Sequence, residues 1–500
     1  MKQISENKIY WGDLHSHCAI SYGEGNLENA IKRASQQLDF CSVTGHAFWP
    51  DIDSLAKDKE DIKNYHLQGF IKLKKNWRHI LATLKIFEKK YNIKIFPSYE
   101  WHSLKYGDHN IYSNDFNLKL LSANNINDLK KKLTKNNLVI PHHIGYGENK
   151  RGINWNFYRS ELSPFVEIFS MHGCSIDEAN PFTMLHDMGT LTGNGTAISG
   201  WKKNKIFGII GSTDHHGGYP GSFGQGRMAV ISRNNSKKEL WNAFKKRRVY
   251  AATGDKINIF FTINNMHMGS KINKCKNRSI KNEVSSISAL ESVILFKNDK
   301  KYKVFNIKSK KEIKKIITGS LEVAWGWGKK NSAIKWNGKI NLEKGIINDY
   351  QTCFRGIPKL EPNQKHYLKN SGILNELKKI DGGVQFKSIT TGNYSLKDPA
   401  YQSFKIHISS PSDDNLKIFV NKKEYKVSIK DLAFNGSKVF YMKGWLSELI
   451  KIGPFSHQDE LYFSKKIIDD KPIQKTDRYR VEVIQNNGER AWSSPIWVSN

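Results

Sequence analysis

At 500 residues the chain is longer than one hydrophobic core ordinarily fills, so two domains are expected. Its 38% hydrophobic content and mean hydropathy of −0.58 describe a soluble protein, and no apolar stretch is long enough to cross a bilayer. The 79 Lys and Arg against 47 Asp and Glu give a net charge of +32. The cations are scattered rather than gathered in a stripe, and no nucleic-acid motif accompanies them, so nucleic acid and membranes are not the expected partners and a small anionic substrate is.

The first residues, Met1-Lys-Gln-Ile-Ser-Glu-Asn-Lys, lack the apolar core of a secretory leader. Cys18, Cys41, Cys174, Cys275 and Cys353 are odd in number, with no CxxC pair. That argues against a disulfide framework or zinc ribbon and for a reducing, cytoplasmic compartment.

Up to residue 255, short apolar runs alternate with helical patterns, as in parallel α/β units. "IYWGDL" opens the series. "NLENAIKRASQQL" comes next as an amphipathic helix with Asn26 as its N-cap. "DFCSVT" (39–44) reads as a buried strand, and "FIKLKKNWRHILATLKIFEKKYN" as a helix whose Trp77, Ile80, Leu81, Leu84 and Phe87 share a core-facing side. "IKIFPSY" (93–99), "NLVIP" (137–141), "FVEIFS" (165–170) and "IFGIIGS" (206–212) read as further buried strands. From residue 256 the pattern changes to period two, as in "INIFFTIN", "SVILFKN" and "RYRVEVIQNNGERAWSSPIWV". The expected division is 1–255 and 256–500, the second part a β-sandwich with a Lys-rich surface excursion near 299–315. Asn487-Gly488 supplies a left-handed hairpin turn, and Pro495 places the last strand at an edge or an end.

The polar residues of the first half fall where its strands end. His15 and His17 come after the first strand, His46 after the second, and Glu100 after the third, with His109 nearby. His142 and His143, then His172, then Asp214, His215 and His216 come after the next three. One histidine after a strand is usually packed or solvated; six strand ends carrying His, Asp or Glu point to one mouth with metal chemistry. Many imidazoles, few carboxylates and no thiolate pair suit Zn, Mn, Fe or Co better than Ca or Mg. More ligands are present than one ion needs, so two or three divalent ions are expected, with Asp13 or Asp108 either orienting rings or serving turns.

"GDLHSH", "VTGH", "YEWHS…GDHNIY", "IPHHIGY" and "GSTDHHGG" resemble the PHP (polymerase and histidinol phosphatase) superfamily. "FKKRRVYAATGDKI" (244–257) and "NNGERAWSSPIWV" (486–498) resemble its DUF3604 branch. The resemblance implies a distorted (β/α)7 barrel followed by a β-rich, sandwich-like domain. It assigns metal ligation to His15, His17, His46, Glu100, His109, His142, Asp214 and His216, with His143 as the alternative to His142 and Glu100 as the bridging carboxylate. It further implies a metal-dependent hydrolase, foremost a phosphoesterase cutting a small phosphomonoester or diester through a metal-bound hydroxide. The alternatives are a metallohydrolase of an amide, lactone or carboxylic ester, and a non-catalytic polyanion- or glycan-binding protein. Arg151 and Arg227 suit an anionic group, His172 suits proton donation or ligation, and His143 and His215 have either role open. The sequence departs from the superfamily at "ISYGEG", which lacks an acidic residue or histidine shortly after HxH, and at Gly45, where TDH has its aspartate. Both departures predict two tightly held ions and a weak third position.

Overall fold

A computed structural model describes residues 7–186, 189–309, 312, 314–326, 333–356, 375–391 and 401–500. The chain is mixed α/β and rich in strands. Asn26 caps the helix Leu27–Ala34 by accepting from the Asn29 amide at 2.8 Å. The longest helix, Glu60–Lys90, buries Phe70, Leu73, Trp77, Ile80, Leu81 and Leu84 along one face. No described helix is long and apolar enough to cross a membrane. All five cysteines are free, and four are buried.

The strands before residue 255 pair in both senses. Lys8–Asp13 runs parallel to Phe40–Cys41, which runs parallel to Lys94–Ile95; Thr44–Phe48 is parallel to Ser98–Trp101, and Phe165–Ser170 to Gly208–Gly211. Asp108–Ser113, by contrast, is antiparallel both to Ser98–Trp101 and to Asn137–His142. A parallel return needs a crossover of about a dozen residues, and 102–107 is too short for one. Arg227–Ser232 and Val249–Ala252 are antiparallel additions beside Lys8–Asp13. The described strands of this half therefore form separate open sheets with antiparallel members, where the pattern of alternating runs had suggested parallel units alone.

Beyond residue 256 two five-stranded antiparallel sheets face each other across one core. Their spatial orders are 346–353, 402–411, 316–326, 449–457, 438–441 and 376–380, 383–391, 333–342, 415–420, 423–428. Trp325, Trp336, Ile340, Phe386, Phe404 and Ile418 fill the space between them. Lys300–Asn306 does not leave the fold as an excursion but pairs with Leu290–Lys297; residues 310, 311 and 313 of that stretch lie outside the described residues. Gly488, at φ +86°, is the left-handed residue of the last hairpin. Pro495 sits immediately before Ile496–Ser499, which pairs on both sides.

One sheet runs through residue 255. Arg490–Ser493 pairs with Val249–Ala252, placing Ala251 opposite Trp492, and the same sheet continues through Arg227–Ser232 to Lys8–Asp13. Trp492 and Trp497 pack with Ile168, Phe169, Trp201 and Phe207 of the first half. Buried Asp255 accepts from Lys405 Nζ at 2.5 Å, Ser288 Oγ at 2.7 Å, and Gln351 and Asn487 amides at 2.9 Å, so this carboxylate is met by four chain segments.

Each of the two tryptophans contributes about 4–6 kcal/mol of apolar transfer free energy, from roughly 150–250 Å² of buried surface. Truncation after residue 255 removes both tryptophans, uncovers the Ile168, Phe169, Trp201 and Phe207 surface they cover, and leaves Val249–Ala252 as a bare edge. The 1–255 fragment is expected to aggregate. Size-exclusion chromatography checks this, and a soluble monodisperse fragment would contradict it.

Candidate metal centre

Two buried carboxylates organise the strand ends. Glu100 Oε1 lies 2.9 Å from His15 Nε2 and 2.8 Å from His142 Nε2, while its Oε2 lies 3.0 Å from His46 Nε2 and 3.3 Å from His102 Nε2. Asp214 Oδ1 lies 2.9 Å from His17 Nε2 and 3.2 Å from His15 Nε2, while its Oδ2 lies 2.9 Å from His172 Nε2 and 3.1 Å from His143 Nε2. Each carboxylate is thus ringed by four imidazoles, and His15 belongs to both rings.

The tautomers are set by the other ring nitrogens. His17 Nδ1 is 2.6 Å from the Thr44 carbonyl, His15 Nδ1 2.9 Å from Glu167, and His216 Nδ1 2.8 Å from the Asp214 carbonyl. A proton on each Nδ1 leaves a lone pair on Nε2. For His15 and His17 that lone pair points at carboxylate oxygen, and their two Nε2 atoms are 3.2 Å apart. Among the described residues, Glu100 Oε2, Asp214 Oδ2, His102 Nε2 and both ring nitrogens of His142 are buried and, close as their neighbours are, none makes a hydrogen bond of good geometry. Acceptors facing acceptors in a buried site need cations between them, either protons or metal ions.

The titration behaviour agrees. Burial disfavours charge on His15, but Asp214 and Glu167 outweigh it and hold the imidazole protonated well above its ordinary range. Burial also opposes ionisation of Glu100 and Asp214. The surrounding imidazoles win in both cases, with His15 and His172 foremost at Asp214, and hold both carboxyls well below the usual range. Burial, helped by His17, keeps His46 neutral, and burial does the same for His143. Neutral imidazoles and ionised carboxylates are the states that bind divalent metals, so His46, His143, Glu100 and Asp214 are ready for an ion, whereas His15 has to give up its proton to ligate one. Five overlapping triads have ligand atoms within 4.8 Å of one another: His15–His17–Glu100, His46–Glu100–His102, His143–His172–Asp214, Asp108–His142–His143 and His17–His46–His216. The residues present fit divalent ions.

Backbone strain is present at the cluster too. His143 (φ +50°), Arg151 (φ +72°) and Asp214 (φ +53°) adopt the left-handed conformation without being glycine. Asp13 ties the two ligand loops together, accepting from the His15 and Thr213 amides, the Thr213 hydroxyl and the Gly221 amide. His17 N donates to the His215 carbonyl and Asp214 N to the His15 carbonyl, so the HxH and DHH segments are bonded to each other.

The structure gathers His15, His17, His46, Glu100, His142, His143, His172, Asp214 and His216. It sets His109 apart. Along Asp108–Ser113 the side chains alternate, and His109 shares the far face with Trp101, its cross-strand partner, at a ring separation of 6.0 Å. Its Nδ1 meets the Gly107 carbonyl, and burial lowers its pKa to about 4. The position beside Glu100 is held by His102, two residues on and therefore on the same face of the strand, a signal that the i, i+2 spacing in "EWH" carried. Glu167, a carboxylate inside an apolar strand, is the other missed residue.

Arg227 is also away from the cluster, fully buried and donating to Gln37 Oε1 and the Gly221 carbonyl at 2.9 Å. Arg151 is at the cluster, but its guanidinium is engaged by Asp108 at 2.6 and 2.7 Å and lies 3.0 Å from His102 Nδ1. Asp108 thus holds Arg151 and faces His102. His215 turns toward Gly356, where an added Cβ would lie 2.5 Å from the ring Nε2. Gly45 faces Leu73, with a Cβ there 2.5 Å from Leu73 Cδ1, so an aspartate at this position would meet the helix Glu60–Lys90 rather than the cluster. Tyr22 stacks on His46 at a centroid distance of 3.6 Å, and burial keeps its phenol protonated.

No family model matches the chain. An uncharacterized protein of Chlamydia trachomatis is 29% identical over 192 residues, 35% of this chain and 31% of that one. An uncharacterized protein of Chlamydia pneumoniae is 28% identical over 313 residues, 59% of this chain and 48% of that one. The matches span about a third to a half of these relatives' length. A crystal structure of a two-domain protein from Bacteroides vulgatus, containing a predicted PHP-like metal-dependent phosphoesterase, is 11% identical. It covers 86% of this chain and 97% of its own, with a TM-score of 0.33, and at that score the likeness carries no argument.

Two outcomes are expected from these placements. His102→Ala lowers the bound metal measured by plasma mass spectrometry, whereas His109→Ala leaves it unchanged; the reverse result would return His109 to the site. Arg151→Met strips buried Asp108 of its cation and costs about 3 kcal/mol at pH 7 by urea denaturation. Burial opposes the Asp108 charge, but Arg151 holds its carboxyl well below the ordinary range. A depressed folded-state pKa stabilises above the unfolded value near 4 and loses that contribution as pH falls toward the folded one, so the difference between the two proteins narrows below about pH 4.

Proposed function

We propose that the chain is a metal-dependent hydrolase acting on a small phosphomonoester or phosphodiester. The observation that carries the metal reading is the meeting of imidazole lone pairs and carboxylate oxygens at Glu100 and Asp214, which only cations reconcile. Two tightly held divalent ions of the Zn, Mn or Fe type suit these two carboxylates, held by His15, His17, His46, His102, His142, His143 and His172. His216 completes a weaker third position of imidazoles only, with His17 and His46. Bound ions in such a site supply water activation and neutralise phosphoryl charge.

The chain's own residues do the rest. Glu167 and the Thr44 carbonyl fix the rings of His15 and His17, and Asp108 and Arg151 border His102. His172 is 10% exposed and His216 20%, so the cluster opens to solvent on their side. His172 there suits proton delivery to a leaving group. We assign the cluster to residues 1–255, whose strand ends would converge as in a distorted (β/α)7 barrel of PHP type, with 256–500 as a β-rich supporting domain. A cytoplasmic setting and a small anionic, phosphorylated substrate accompany this reading, with neither membrane nor nucleic acid as partner.

His15→Ala, Glu100→Gln and Asp214→Asn are each expected to lower turnover of a phosphoester panel by about two orders of magnitude or more, with circular dichroism unchanged. Full activity in any two of them would sink the assignment. Turnover of carboxylic esters, lactones or amides in place of phosphoesters would keep the metal site and replace the substrate class.

A further inference from the structure

A basic site lies at the other end of the strand Lys8–Asp13 from the Glu100–Asp214 cluster. Lys8 pairs with Ser232 at one end of the strand Lys8–Asp13, and His15 lies just past the other end. At about 3.3 Å per residue the two ends are roughly 20 Å apart. At the Lys8 end a polar cavity of about 270 Å³ is lined by Arg233, Lys246, Arg248, Asn7, Asn242 and Glu239. Arg233 comes directly after the strand Arg227–Ser232, and Arg248 precedes Val249–Ala252, the adjacent antiparallel strand. Hydrogen bonds from Arg248 N to the Ala243 carbonyl and from Ile231 N to the Arg248 carbonyl fix the backbone on which Arg248 stands.

The charges here are unbalanced. Burial, followed by repulsion from Arg233, lowers the pKa of Arg248, so the two guanidiniums act on each other. Among the described residues neither has an ion-pair partner: the described carboxylate pairs go elsewhere, and Glu239 is turned to Asn242 Nδ2 at 3.4 Å and forms none. With Lys246 the lining carries three cations against one carboxylate. Like charges brought together around a concave polar space leave a free-energy cost that an anion relieves, and paired guanidinium forks match the oxygens of a tetrahedral oxyanion.

We propose that this cavity binds a phosphate group, held between Arg233 and Arg248 with Lys246 as a third donor. The site is separate from the metal cluster and stands whether or not the hydrolase reading does. The group can come from free inorganic phosphate or from the phosphoryl end of a small metabolite.

The test uses the 500-residue chain carrying Asp214→Asn to suppress turnover, titrated by calorimetry with inorganic phosphate and separately with glycerol phosphate, with and without a chelator so that any metal-dependent binding is assigned to the cluster and only the metal-independent binding is read. Saturable binding is expected that weakens at least tenfold in Arg233→Gln and in Arg248→Gln. It should be unaffected by Arg78→Gln, an exposed arginine on the helix Glu60–Lys90. Tighter binding of one probe identifies the source of the group. Arg233 is exposed, so its variant folds and decides the matter even if Arg248→Gln does not. Absence of binding by either probe, or binding undiminished in Arg233→Gln, would overturn the proposal.

Discussion

Two carboxylates buried among imidazoles set the terms for the rest of the molecule. Glu100 and Asp214 are each at most 2% exposed, and isolated carboxylates there would be several kcal/mol too costly to remain ionised. The fold brings seven histidines to these two groups, and His15 and His17 turn acceptor nitrogens inward. The arrangement is therefore matched to bound cations rather than to itself. Protonation of His15 meets part of that demand, and the residues present also fit divalent ions.

Holding acceptors against acceptors needs a rigid frame. His143, Arg151 and Asp214 are kept in left-handed conformations that cost about 1 kcal/mol or more each, and the surrounding hydrogen bonds over-determine them. Asp13 contributes four hydrogen bonds at the HxH and DHH loops. Its carboxylate takes these donors from 15, 213 and 221, and the loops exchange main-chain bonds directly.

The second half takes part in this frame. Its strand Arg490–Ser493 extends the sheet that carries Lys8–Asp13, and Ser494 Oγ donates to the Val249 carbonyl. Gly356 lies against His215, and the Phe354 carbonyl accepts from Phe223 N, so a segment of the second half backs the DHH loop. Only glycine fits at 356 beside the imidazole. Residues far along the chain thus constrain the loop that presents Asp214.

The sequence by itself determined the elements and most of the cluster. Periodicity and capping located the helix after Asn26 and the buried face of Glu60–Lys90, and ligand types at successive strand ends located His15, His17, His46, Glu100, His142 and Asp214. These signals are local, arising from side-chain period and from the residue types just past each strand. Tertiary structure decided what depends on pairing. The antiparallel register of Ser98–Trp101 with Asp108–Ser113 put His109 opposite Trp101 on the far face and left the place beside Glu100 to His102. Packing against Leu73 turned Gly45 away from the site, and burial bound Arg227 to Gln37 and Gly221. Glu167 became a partner of His15 only once two strands distant in sequence were laid near each other. Which face of a strand a residue occupies is set by its neighbour across the sheet, and one chain read alone does not contain that neighbour.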